Sequence, residues 1–317
     1  MQTRQLGKTG LNIGPLVLGG NVFGWTADEK TSFAILDAFL DAGLNAIDTA
    51  DIYSKWIPGH VGGESETVLG NWFRQKPSNR DKTVLITKVG SEFSPEKKGL
   101  SERWILQAVE DSLRRLKTDH IDVYLSHWPD ASVPYEQTLG AYDKLLKAGK
   151  VRAVGASNLD AAQLAESLKV SAGKSLPRYA VLQPEYNLYA RESFEGPLQE
   201  LVQKESIGVI VYFALASGFL TGKYRSDKDF SKSPRGGGMA KYLNDKGIRI
   251  LAALDAAARE TGAEPAEVAL AWLLAQPGVT APIASATSVV QVKSLVKATE
   301  LKLSKPQLDA LTAAGRP

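Results

Sequence analysis

"TVLITKVG", residues 83–90, runs through Val84, Leu85 and Ile86 without polar alternation and then delivers Lys88. A strand with one wet face alternates apolar and polar residues; a short run that does not is covered on both faces, as strands of parallel sheets are. Seven further runs share the habit: "PLVLGG" (15–20), "NAIDTA" (45–50), "IDVYLSH" (121–127), "VRAVGASN" (151–158), "YAVLQPEY" (179–186), "GVIVYFA" (208–214) and "TAPIASA" (280–286). The intervals between them are long enough for crossover helices. In the first interval Phe33, Leu36, Leu40 and Leu44 recur at the helical period; in the third, Ile105, Val109, Leu113 and Leu116 follow Ser101, a cap with Glu102 in the first turn. Eight strand–helix units in 317 residues favour an α/β architecture of the (β/α)8 TIM-barrel kind, and counting alone leaves a doubly wound open sheet as the alternative.

Three segments lie outside the repeat. "RQLG" and "LNIG" flank "KTG" as an N-terminal β-hairpin would. Residues 221–247 are polar and glycine-rich and read as a long loop after strand seven. "LSKPQLDALTAA" has Ser304 and Gln307 at capping-box spacing and reads as an extra C-terminal helix. No linker interrupts the pattern, so residues 1–317 are expected to form a single domain.

The composition narrows the function classes. With 44% hydrophobic residues and a net charge of +3 spread among acids, the chain can bury a large core and carries no basic stripe for nucleic acid. Cysteine is absent, which removes disulfides, thiolate nucleophiles and cysteine-bearing metal sites; three histidines in dissimilar surroundings make no metal centre. The N-terminus lacks an apolar signal core and no stretch approaches twenty apolar residues, so the expectation is a cytoplasmic protein without a membrane segment. No zipper or exposed repeat fixes an oligomeric state.

In a barrel, chemistry sits where strands end. There the chain places Asp48, Lys88, His127, Ser157 with Asn158, Gln183, and Tyr212, one polar group for nearly every strand. Lys88 cannot be buried alone, and Asp48 on the neighbouring strand is its natural partner. A lysine beside Tyr53 would favour the phenolate and pull the tyrosine pKa down toward neutrality, making Tyr53 a general acid for an oxygen that gains charge, with His127 holding that oxygen. Such a set suits carbonyl reduction, given a hydride source. No G-x-G-x-x-G follows the first strand, so a cofactor would lie across the rim. Asn158 and Gln183 can pair with a carboxamide, Tyr212 can stack on a flat ring, and the "ASGFLTGK" turn with Lys223 can face a diphosphate. Trp25, Trp56 and Trp128 lie in or beside rim loops as candidate walls of a substrate pocket.

These motifs in this order resemble the aldo-keto reductases, from about residue 3 to 312. "AIDTADIYSK" looks like the family's aspartate and tyrosine signature, "GGESETVLG" like the segment that follows, "LITK" like its lysine strand and "IDVYLSHWPD" like its histidine strand; "GASN", "LQPEYN" and "FALASGFLTGKY" look like its cofactor-contacting strand ends. The likeness is to bacterial-type members, nearer the branch of potassium-channel β-subunits. It implies Asp48, Tyr53, Lys88 and His127 as the catalytic set. It further implies an extended nicotinamide dinucleotide held by Ser157, Asn158, Gln183, Tyr212, Leu215, Ser217, Leu220 and Lys223. The substrate would be a small carbonyl compound or the corresponding alcohol. Ser285, Thr287 and Gln291 match the stretch that faces the 2′-phosphate. Relatives that select that phosphate carry a lysine or arginine there, and this chain has no charge until Lys293, so NADP is expected from the family tendency with NAD as the alternative. Two other readings remain at this stage: a non-catalytic nicotinamide-binding regulatory subunit on the same fold, and a barrel lyase using a Lys88 Schiff base.

Overall fold

The computed structural model describes residues 2–316. Two short strands, β1 (Arg4–Gln5) and β2 (Asn12–Ile13), pair antiparallel as the expected hairpin. The eight apolar runs then supply β3 (Val17–Gly19), β4 (Ala46–Asp48), β5 (Val84–Val89), β6 (Ile121–Ser126), β7 (Val151–Ser157), β8 (Val181–Gln183), β9 (Gly208–Val211) and β10 (Ala281–Ala284). They pair in parallel in chain order, and β10 pairs with both β9 and β3, which closes the barrel and rules out the open sheet.

Burial on both faces explains the missing alternation. One set of strand residues, including Val17, Ala46, Ile86, Val123, Leu125, Val181 and Ile210, fills the barrel interior; Leu6, Leu11 and Ile13 of the hairpin pack against it and plug the lower end. The hairpin presses so closely on β9 that a Cβ on Gly208 would lie 2.7 Å from the Gly7 nitrogen. The alternate strand residues face a helical layer built from α1 (Glu29–Asp41), α2 (Glu64–Gln75), α3 (Ser78–Asp81), α4 (Glu102–Leu116), α5 (Tyr135–Lys147), α6 (Ala161–Lys174), α7 (Pro197–Glu205), α8 (Asp245–Thr261), α9 (Pro265–Leu274) and α10 (Val289–Glu300). In α4 the expected stripe of Ile105, Val109, Leu113 and Leu116 is buried and Ser101 caps the first turn through the Trp104 amide. In α1 the buried stripe is Ile35, Leu36 and Phe39; Phe33 and Leu40 sit at its margins and Leu44 lies beyond the helix end.

The terminal helix α11 (Lys305–Ala314) begins with the expected capping box of Ser304 and Gln307. The segment 221–247 differs from a plain polar loop. Its last residues open α8 behind the Asn244 cap, and the rest folds into 3-10 turns at Asp227–Lys232, Gly236–Gly238 and Ala240–Tyr242. Tyr224, Met239 and Tyr242 are buried in it, with Tyr242 stacked on Phe219 at 5.1 Å. A few large apolar side chains, spaced irregularly among charges, are enough to dock it against the barrel. Among the described residues no helix is long and apolar enough to cross a membrane, and no three metal-ligating side chains cluster.

Candidate functional site

Parallel strands in one barrel bring all their C-terminal ends to one rim, so residues scattered from 48 to 285 become neighbours. Asp48 closes β4 and Lys88 lies in β5, one strand over. Both are buried, at 2% and 0% exposure, so each needs the other. The Lys88 ammonium donates to Asp48 Oδ2 at 2.8 Å, to the Thr49 carbonyl at 2.7 Å and to the Tyr53 hydroxyl at 3.1 Å, which uses all three of its protons. Burial works against its charge, but Asp48 and Tyr53 outweigh that and hold its pKa above the ordinary lysine value.

The phenol differs from the sequence expectation. Burial pushes the Tyr53 pKa up, Lys88 pulls it down and Asp48 pushes it up again; the net is a value above that of free tyrosine, not one near neutrality. The same aspartate that anchors the lysine cancels part of its field, and removal of water from the hydroxyl does the rest. His127, just past β6, faces the tyrosine with ring centroids 6.2 Å apart. Burial, then the Lys88 charge, lowers its pKa to about 3, so the imidazole is neutral at any ordinary pH. Its Nδ1 lies 3.0 Å from Ser91 Oγ. When Ser91 donates that bond, the proton sits on Nε2 and the ring becomes a fixed neutral donor. Ser91 was not singled out in the sequence; its only signal is a position three residues beyond Lys88.

The remaining rim residues are knitted together. Ser157 Oγ donates to the Gln183 carbonyl at 2.7 Å. Asn158, in a left-handed conformation with φ 63°, donates to the His127 carbonyl at 2.9 Å and accepts from the Tyr212 hydroxyl at 2.7 Å. Gln183, expected to pair with a carboxamide, spends its amide nitrogen on Asp48 Oδ1 at 2.8 Å. Its Oε1 accepts nothing from the described residues, and Asn158 Oδ1 keeps a second lone pair. The pair therefore suits the NH2 side of a carboxamide, while Tyr212 lies over the interior core with its ring half-buried.

Beyond β9 the backbone passes from Leu215 at φ −105° into left-handed Ala216 and Ser217 at φ 47° and 57°, and the Ala216, Gly218 and Leu220 amides close on the carbonyls of Phe213 and Leu215. The Leu220 side chain is fully buried and its amide donates to the Leu215 carbonyl, so the structure does not present Leu220 to a ligand as the sequence expectation has it. Lys223 is exposed, its ammonium 5.0 Å from the Tyr224 ring centre. After β10, Ser285 Oγ donates to Asn21 at 2.6 Å, while the Thr287 amide and hydroxyl both reach Gln291 Oε1, leaving the Gln291 NH2 free of described partners.

Of the three tryptophans, Trp25 meets Trp56 edge-on at 5.5 Å and Trp56 meets Tyr53 at 6.0 Å, while Trp128 stacks on His127 at 5.6 Å. Trp56 and Trp128 are about half exposed, which leaves apolar surface on both sides of the tyrosine. Lys55 ties the loop bearing Tyr53 to the loop after β5 by donating to the carbonyls of Glu92 and Phe93.

Behind the rim lies a second buried set. Glu66 of α2 takes Arg115 of α4 at 2.7 Å and the Thr87 hydroxyl at 2.6 Å. Asp51 is buried beside them with both carboxylate oxygens unpartnered; the Ile52 amide favours its charge without making a hydrogen bond of good geometry. Burial and the Glu66 charge hold its pKa well above the carboxylate range, against the pull of Arg115 and Lys88. Folding therefore takes up a proton at Asp51 once pH exceeds the unfolded value near 4, and stability falls as pH rises from there. Asp51→Asn removes that proton requirement. Its melting temperature should match the parent at about pH 4 and exceed it increasingly toward pH 8; parallel curves would refute the assignment.

Comparison with known proteins decides the family. The profile described as Aldo/keto reductase family matches residues 15–316. The chain belongs to this family. It is 35% identical to "Uncharacterized oxidoreductase YrpG" of Bacillus subtilis over 98% of the chain and 95% of that protein. It is 33% identical to a "Probable voltage-gated potassium channel subunit beta" of Arabidopsis thaliana, over 95% of the chain and 92% of that protein. It is 32% identical to "Aldo-keto reductase YhdN" of Bacillus subtilis, over 95% and 88%. Membership thus joins this aldo/keto reductase to a family of oxidoreductases. The expected lean toward the potassium-channel branch is not borne out, because identities of 32–35% do not separate that branch from the others.

Proposed function

We propose that this chain is a nicotinamide-dependent carbonyl reductase in which Tyr53 gives its proton to the substrate oxygen. The observation that carries the reading is the Tyr53 hydroxyl held 3.1 Å from a buried ammonium that is itself fixed by Asp48. The dinucleotide would supply the hydride to the carbonyl carbon. The neutral His127 Nε2–H and the Tyr53 hydroxyl are the two donors for the carbonyl oxygen; as charge develops on it, Tyr53 transfers its proton and Lys88 stabilises the phenolate left behind. Reversal in the alcohol direction needs Tyr53 as the base. Trp56 and Trp128 would flank the substrate, with Trp25 behind Trp56.

For the cofactor we favour NADP(H). The Gln291 NH2 group, free of described partners, lies in the first turn of α10, where a helix N-terminus favours a dianion; Ser285 and Thr287 would join it by exchanging their present bonds to Asn21 and Gln291. The test is loss of near-ultraviolet absorbance when purified protein is mixed with NADPH or NADH and aliphatic, aromatic or sugar carbonyls. No turnover with either cofactor across the panel sinks the proposal.

The raised Tyr53 pKa gives the reaction a pH signature. Reduction uses the protonated phenol and should stay level through neutral pH, declining only in the alkaline range above the ordinary tyrosine value. Alcohol oxidation uses the phenolate and should climb with pH over the same range. Because His127 titrates near pH 3, neither direction should show an inflection between about pH 5 and 8. Initial rates in both directions across pH check this; a reduction rate that falls on passing neutrality would overturn it.

A further inference from the structure

Residues 90–93 join the two groups that the reductase reading aims at the carbonyl oxygen. Gly90, at φ 116°, turns the chain at the end of β5 in a conformation that favours glycine, and a Cβ there would lie 3.0 Å from the Leu100 side chain. Just past the turn, Ser91 places its Oγ 3.0 Å from His127 Nδ1. The next two carbonyls, of Glu92 and Phe93, accept from the Lys55 ammonium, two residues beyond Tyr53. The Gly99 and Phe93 amides close this loop on itself through the Gly90 and Lys97 carbonyls, and the His127 amide donates to Val89 at 2.8 Å. One short segment thus braces the Tyr53 loop on one side and the imidazole on the other.

The direction of the bond between Ser91 and His127 decides what the imidazole can do. A neutral ring carries one proton: if Nδ1 accepts, Nε2 is a donor, and if Nδ1 donates, Nε2 is a bare acceptor. Ser91 is buried at 9% exposure, and its hydroxyl has no acceptor other than Nδ1 among the described residues. Were Nδ1 to donate, the Ser91 proton would be left without a protein acceptor. Of the titratable groups around the ring, the Tyr53 phenol faces it from the loop after β4 and the Lys88 charge acts on it from β5. Among the described residues no carboxylate bonds to either ring nitrogen, so nothing but the serine competes for Nδ1.

We infer that Ser91 is a positioning residue that commits His127 to donating from Nε2, and that an acceptor in its place inverts the ring. Ser91 acts through the imidazole and not on the substrate. The inference rests on the reductase reading for its kinetic arm, whereas its spectroscopic arm needs no turnover. The chain has three histidines, so histidine labelled with 15N gives few signals, and His127→Gln assigns the one required. Long-range 1H–15N correlation at neutral pH then reads which ring nitrogen carries the proton.

The parent and Ser91→Thr should show the proton on Nε2, with Nδ1 as a hydrogen-bonded acceptor. Ser91→Ala should shift the Nδ1 resonance toward that of a free acceptor, and Ser91→Asp, whose carboxylate only accepts, should protonate Nδ1. Lys55→Met loosens the same loop from its other side and should leave the His127 pattern as it is. In aldehyde reduction, Ser91→Ala and Ser91→Asp should lose at least about tenfold in kcat/KM and Ser91→Thr no more than about threefold, with NADPH affinity within about twofold throughout. A proton on Nδ1 in the parent would overturn the inference, as would Ser91→Ala rates within about twofold of the parent. An equal change of the ring pattern in Lys55→Met would also overturn it, by assigning the effect to loop packing. The parent spectrum and Ser91→Ala decide the matter if Ser91→Asp does not fold. Absence of turnover beside a ring pattern that follows Ser91 as stated would sink the reductase reading alone.

Discussion

Tyr53→Phe is expected to lower kcat for aldehyde reduction by about 10²–10⁴-fold, with dinucleotide affinity within about twofold of the parent. The ring has several jobs that phenylalanine keeps: it meets Trp56 at 6.0 Å and His127 at 6.2 Å, and it lies under the Lys88 ammonium at 4.8 Å. Only the hydroxyl is lost, and with it one of three acceptors for Lys88; Asp48 and the Thr49 carbonyl remain. Stability should therefore change little, which makes the kinetic loss interpretable as chemistry. His127 cannot take over the proton. At a pKa of about 3 it is a neutral donor whose N–H is far too weak an acid to be given up. Turnover within tenfold of the parent would mean that a solvent proton reaches the oxygen, and the role given to Tyr53 would fall.

How much of this was legible follows from what each feature depends on. The eight strands could be read because burial on both faces writes itself into composition as unbroken apolar runs. Their ends could not be read well: "YAVLQPEY" supplies Val181–Gln183 to the continuous ladder and one isolated bridge from Glu185 to Tyr212, since pairing with β7 stops where that strand stops while burial continues into the loop. Asp48, Lys88, Tyr53 and His127 were legible because a charge at the end of an apolar run demands a partner. Which atoms meet was not. The Gln183 bond to Asp48 joins residues 135 apart through barrel closure, and no local pattern encodes it. The direction of the Tyr53 pKa was misread for a related reason: the lysine that lowers it is visible in the sequence, whereas the depth of burial that raises it is set by the packed rim. Residues 221–247 looked polar because charges outnumber their few anchoring aromatics, Tyr224, Phe230 and Tyr242.

Asp48→Asn should separate what the buried ion pair does for the fold from what it does for the reaction. Asparagine keeps the shape and an acceptor for Gln183, so the change is mainly the loss of charge opposite an ammonium with 0% exposure. Breaking a buried pair from one side costs about 3–5 kcal/mol, because the remaining charge is left uncompensated or must neutralise. The denaturation midpoint should drop accordingly, and activity with it, since an ammonium whose pKa has fallen no longer stabilises the phenolate of Tyr53. Adding Lys88→Met removes the stranded charge with a side chain of similar length. The double variant should recover most of the lost stability, as neutral replacements of buried pairs generally do, while its activity stays at the floor. Opposite movements of stability and activity are the expected signature. A double variant no more stable than Asp48→Asn would mean that Asp48 supports the rim chiefly through Gln183 and not through Lys88. One that regained activity would remove Lys88 from the mechanism.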